Sequence, residues 1–231
     1  MTTPPRWSGR VVCHRGVCLR TLLFVSVFAV SVAAAPGDHH RRARELAAEA
    51  QQTSNPIRLF VLALQIKEAL EAALSEKPDD VEVRLDLVRF FVRTPRIAGG
   101  SLDQARAQAE EIARRDPPLG HFARGYIAYR QKEFGVARIE LREARKSAKK
   151  PEHRAMAAKW LGWLSQESQQ WNDAFAIFEE LRATDPDALY EIARTSSFCS
   201  CELEKGRAAL AEYLKLKPRD EEALKLREKL R

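Results

Sequence analysis

The chain has 231 residues, 45% apolar and 31% charged, an ordinary soluble balance with many charged helix faces. Its formal net charge is +7, from 39 basic and 32 acidic residues. Arg6, Arg10, Arg15 and Arg20 all fall in residues 1–35, and without them the balance is 35 against 32. An excess this small, spread over helices, argues against nucleic-acid binding.

Residues 1–35 differ from the rest. The basic stretch holds no acidic residue, and residues 21–35 (TLLFVSVFAVSVAAA) follow as an uncharged, mostly apolar run. The run is short of the roughly 20 residues that a transmembrane helix wants. Ser31, Val32, Ala33 and Ala34 suit signal cleavage, so the segment reads as a secretory signal peptide, with an uncleaved membrane anchor as the alternative. No Cys follows the run, and a lipoprotein signal is not supported.

Residues 41–52 (RRARELAAEAQQ) form an Ala-rich helix of high propensity. Thr53-Ser54-Asn55-Pro56 breaks it and starts the next, with Pro near the first helical position. Residues 57–74 are strongly apolar, which predicts a well-buried helix, and residues 81–92 predict another. Between that helix and the next lies TPRIAGG at 94–100. Pro95 stops the first helix, Gly99-Gly100 supplies backbone freedom and Ser101 caps the second. The Gly-Gly lacks the Gly-Lys-Ser/Thr of a phosphate loop, and no strand precedes it. The basic run at 138–150, with Arg142, Arg145, Lys146, Lys149 and Lys150, reads as a solvated helix end favoured by the dipole.

Residues 157–186 (AAKWLGWLSQESQQWNDAFAIFEELRATDP) show a unit that the chain repeats. Trp160, Leu161 and Leu164 give a first helix its apolar face, and Trp171, Ala174, Phe175 and Phe178 give a second its stripe. Gly162 allows the two backbones to approach closely. Asn172 and Asp173 are placed to cap the second helix, and Pro186 ends the unit. Pro78, Pro117, Pro151, Pro186 and Pro218 follow one another at 39, 34, 35 and 32 positions. Gly125 to Gly162, Ala137 to Ala174 and Leu141 to Phe178 are each 37 positions apart. In the first unit Leu70, Ala73 and Pro78 fit but the glycine is absent; in the last, Arg194 takes its place. Such pairs bury their apolar faces only by stacking on neighbours.

This pattern resembles the tetratricopeptide repeat family, whose unit is roughly 34 residues. The resemblance covers about residues 41–218. It implies an all-α, right-handed superhelical solenoid of about five antiparallel helix pairs at 36–218, with a last polar helix at 219–231. PRIAGGS-x-x-x-A and the phrase DPPLGHFARGYIAYRQKEFGVA at 116–137 are similar to a set of exported bacterial repeat proteins.

Catalytic chemistry finds little support. His39, His40, His121 and His153 lack metal-ligand spacing, and His121 falls at a packing position. The pairs Asp79/Asp80, Glu110/Glu111 and Glu179/Glu180 diverge on their helices. Cys13 and Cys18 lie in the leader. Cys199 and Cys201 would point apart on a helix and bridge poorly, so they read as two small residues at the turn before the last helix.

The expectation is therefore a non-enzymatic scaffold, without cofactor or metal, that binds a protein or peptide outside the cytoplasm. No nucleic acid or small-molecule substrate is expected, and membrane contact only if the leader stays uncleaved. The resemblance places the first helix of each unit on an inner, concave surface. Taking Gly125 and Gly162 as equivalent puts Phe122, Tyr126, Tyr129 and Arg130 there, followed by Lys159, Trp160, Trp163 and Gln166. Tyr126, Tyr129, Arg130, Lys159 and Trp163 are the candidate partner-binding residues, since aromatics beside Arg and Lys carry interface energy and can hold a carboxylate. Of the inner residues, Phe122, Trp160 and part of Tyr126 also suit array packing.

Overall fold

The computed structural model describes residues 38–230, and the leader reading lies outside them. Among the described residues there are eleven α-helices, one 3-10 turn and no strand. They follow one another as α1 (Asp38–Gln52), α2 (Pro56–Glu76), α3 (Val81–Arg93), α4 (Leu102–Arg115), α5 (Pro117–Arg130) and α6 (Phe134–Ser147), then α7 (Pro151–Glu167), α8 (Trp171–Leu181), α9 (Asp187–Cys199), α10 (Leu203–Leu216) and α11 (Glu221–Lys229). Each helix packs on the one before it and the one after it, and α11 closes on both α9 and α10. This is an all-α solenoid of five helix pairs and one closing helix. None of the described helices is long and apolar enough to cross a membrane.

The prolines that mark the repeat act at the start of helices. Pro56, Pro117 and Pro151 sit in the first turns of α2, α5 and α7, and Pro186 stands just before α9. A first-turn Pro forgoes only an amide that has no helical partner. Side chains of Asn55, Asp80, Ser101, Asp116 and Asp220 accept from the opening amides of α2, α3, α4, α5 and α11. Helices α6 to α10 open without a side-chain cap, the second helix of the 157–186 unit among them. Gln170 precedes α8 without a side-chain cap, and Asn172 and Asp173 lie inside its first turn.

The small residues do what the repeat required. A Cβ on Gly125 would lie 2.8 Å from Leu141 Cγ, and one on Gly162 would lie 2.5 Å from Phe178 Cζ. These two close approaches fix the α5/α6 and α7/α8 crossings. The last pair departs from this register. Arg194 faces Gln166 and the Phe198 ring, while the close approach of α9 and α10 runs through Gly206 against Ser196. In the 94–100 turn, residues 96–98 form the 3-10 turn and Gly99 takes φ 98°.

Three expectations need correction. The first half of α2 is not buried: Ile57 is 76% exposed, Phe60 40% and Leu64 46%. Leu62, Ala69, Leu70 and Ala73 are buried, but among the described residues no earlier pair covers the rest of α2. Apolar composition creates a demand for burial without supplying the neighbour. His121 is half-buried, but its Nδ1 meets Glu140 Oε2 at 2.7 Å rather than apolar side chains. Cys199 and Cys201 are joined by a disulfide. They do not share a helix, because α9 ends at Cys199 and Ser200 turns left-handed (φ 53°). The reversal brings the two Cα atoms to 5.1 Å, within bridging range.

Candidate functional site

The first helices of successive pairs touch along one side of the array. His40 Nε2 in α1 meets Asp86 Oδ2 in α3 at 2.9 Å. Contacts also skip a pair: His153 Nε2 in α7 meets Glu82 Oε1 in α3 at 3.0 Å, and Arg89 Nη2 donates to Met156 Sδ at 3.2 Å. Helices α3 and α7 therefore meet across α5. Glu82 and Arg89 of α3 thus meet the first half of α7, and the C-terminal ends of α5 and α7 lie beyond these contacts.

At that end stands an aromatic cluster. Trp160 stands in T-shaped contact with Tyr126 at 4.8 Å, Tyr129 at 5.2 Å and Trp163 at 4.9 Å between ring centres, with Phe122 at 6.5 Å. Edge-to-face pairs of this kind add about 0.5–1.5 kcal/mol each beyond burial. Phe122 and Tyr126 are buried and serve the array. Tyr126 cannot offer its ring to a partner, which corrects its place among the binding candidates. Burial raises the Tyr126 phenol above its usual range, with Arg130, Arg93 and Arg89 opposing. Burial likewise raises Tyr129, and the nearby Glu167 adds to it.

Lys159 is also committed within the fold. Its Nζ lies 2.8 Å from Asp185 Oδ2, 3.9 Å from Asp187, and 5.7 Å from the Trp163 ring centre. Gln166 is buried, donating to Thr195 Oγ1 at 2.8 Å and accepting from Arg194 Nη2 at 2.7 Å. Arg194 in turn pairs with the buried Glu191 at 3.0 Å. Of the predicted set, Tyr129, Arg130 and Trp163 remain available. Tyr129 and Trp163 are half-buried and Arg130 is exposed. Arg130 has no ion pair among the described residues, and the Trp163 Nε1 donor is buried without an acceptor.

Two groups escaped the sequence reading. Arg93 is exposed, has no ion pair among the described residues and is the last residue of α3, as Arg130 is the last of α5 and Glu167 of α7. The same 37-residue spacing that relates the glycines relates these three, so the register held that signal. The Gln166–Glu191–Thr195–Arg194 network had no such signal, because nothing local distinguishes Glu191 from a solvated helix residue. No group of three His, Cys, Asp or Glu side chains gathers at metal-binding range among the described residues.

Five stacked helix pairs with small residues at the crossings define a tetratricopeptide-like helical-repeat protein. The solved structure of PilF supports the fold. PilF of Pseudomonas aeruginosa aligns with a TM-score of 0.57 over 83% of this chain and 82% of that chain, at 19% identity. The MamA protein aligns with a TM-score of 0.46 over 80% of this chain and 93% of that chain, at 14% identity. No protein-family profile and no curated protein matches the chain.

Proposed function

We propose that the chain is a non-enzymatic scaffold that holds a segment of a protein partner at the open end of its inner groove. The observation that carries this reading is the exposed Arg130, without an ion pair among the described residues, beside the Tyr129–Trp160–Trp163 cluster. Aromatics and Arg dominate binding hot spots because they bring large area and directional donors together. Arg130 and Arg93 would take a carboxylate of the partner, and the half-buried Tyr129 and Trp163 rings would supply apolar contact beside it. Lys159 contributes by holding Trp163 in place through the Asp185 pair.

The basic leader and its apolar run support export to the bacterial envelope, with the groove facing the compartment outside the cytoplasm. Mass analysis of the exported product reads this directly: an intact N-terminal segment would favour a tethered subunit. The groove is tested with Arg130→Ala combined with Trp163→Ala in a protein whose helical circular dichroism is unchanged. A partner recovered with the natural chain should lose at least tenfold in affinity. Unchanged affinity would move the site off this groove.

A further inference from the structure

The Cys199–Cys201 bridge sits at the α9–α10 turn, and three observations set it apart from a structural staple. It closes a loop of three residues, and a loop that short removes little chain entropy from the unfolded state. Both residues that follow its cysteines, Ser200 (φ 53°) and Glu202 (φ 51°), are left-handed without being glycine. Non-glycine residues held there cost free energy, so the turn is maintained against local preference. Lastly, Phe198 is 57% exposed and Leu203 36% exposed, and they flank the half-buried sulfurs with apolar surface.

We propose that Cys199–Cys201 is an exchangeable disulfide that reacts with a cysteine thiol on an apolar segment of a partner protein. The thiolate of that segment attacks Cys201 Sγ, forming a mixed disulfide. The Cys199–Cys201 bond breaks, and the electron pair leaves on Cys199 Sγ. The Cys201 backbone N–H donates to that sulfur at 3.2 Å and favours its departure as a thiolate, against the negative end of α9. Cys199 then takes a proton from water. A second thiol of the partner attacks the mixed disulfide and releases Cys201. The partner leaves oxidised to a disulfide, and its two electrons remain in the Cys199/Cys201 dithiol. The site is independent of the groove assigned above.

The test uses the whole natural chain, equilibrated in native buffer with mixtures of reduced and oxidised glutathione. Thiols are then alkylated, and the peptide carrying both cysteines is weighed, which separates them from Cys13 and Cys18. Two alkylated thiols should appear on that peptide while helical circular dichroism stays constant. A peptide that keeps its bridge until guanidinium unfolds the chain would overturn the proposal. A second arm exposes Cys199→Ser to oxidised glutathione. Cys201 should become glutathionylated in the folded protein, and failure to react overturns the assignment of the attacked sulfur. The partner class is read with the tripeptide Leu-Cys-Leu. It should reduce the bridge several-fold faster than glutathione at equal thiolate, and Phe198→Ser should remove that advantage. Equal rates in the natural chain would overturn the apolar-segment reading.

Discussion

Gly162 shows how a single missing side chain positions two helices. The space a Cβ would need is already taken by the Phe178 ring, which is itself fully buried. Gly162→Leu therefore overpacks the α7/α8 crossing and should cost about 1–3 kcal/mol, read as a lowered midpoint in denaturant. Asp86 makes a different case. Burial opposes its charge, but the His40 hydrogen bond and the Arg89 and Arg44 charges outweigh it and hold its carboxyl below the usual range. A depressed folded value contributes stability above the unfolded value of about 3.9 and loses it as pH falls through the folded one. Asp86→Asn should be less stable than the natural chain near neutral pH by on the order of 1 kcal/mol. That difference should shrink below about pH 4. A constant difference across the whole range would mean the carboxylate charge is not what stabilises the α1–α3 contact.

At the scale of helices, what could be read from sequence was what repeats. The 37-residue spacing located the crossings at Gly125 and Gly162 because the same contact recurs in successive pairs. It failed where the array ends. Arg194 stands in the glycine register, yet α9 and α10 cross through Gly206 against Ser196. It failed again at α2, whose apolar first half has no earlier pair to cover it among the described residues. The disulfide was missed because helix geometry was assumed for two cysteines that a left-handed Ser200 separates. Helix α2 allows a direct comparison. Leu64→Ser, at a site 46% exposed, should change stability by no more than about 0.5 kcal/mol. Leu70→Ala, at 2% exposed, should cost about 2–5 kcal/mol. Similar losses at the two positions, measured by urea unfolding, would mean that the first half of α2 is covered in solution.

The molecule as a whole is held by neighbour contacts, with one addition: α3 and α7 touch across α5. In a purely nearest-neighbour array, stability is a sum of repeat and interface terms, and curvature follows from small rotations at each interface. The His153–Glu82 and Arg89–Met156 contacts add a longer connection that ties α3 to the first half of α7. The His153 side chain is only 10% exposed while Glu82 is 41% exposed, so the pair is half wet and worth little in stability. Its effect should be on curvature. Removing both contacts with His153→Ala and Met156→Ala should let α3 and α7 separate at low cost, on the order of 1–2 kcal/mol, chiefly from the lost methionine packing. The measurable result is a larger radius of gyration by small-angle scattering, with faster amide exchange in the first turns of α3 and α7. The Tyr129–Trp160–Trp163 cluster belongs to α5 and α7 alone, so its near-ultraviolet dichroism should persist. An unchanged radius of gyration would show that the interfaces through α4, α5 and α6 set the curvature unaided, and that the contact across α5 is its consequence.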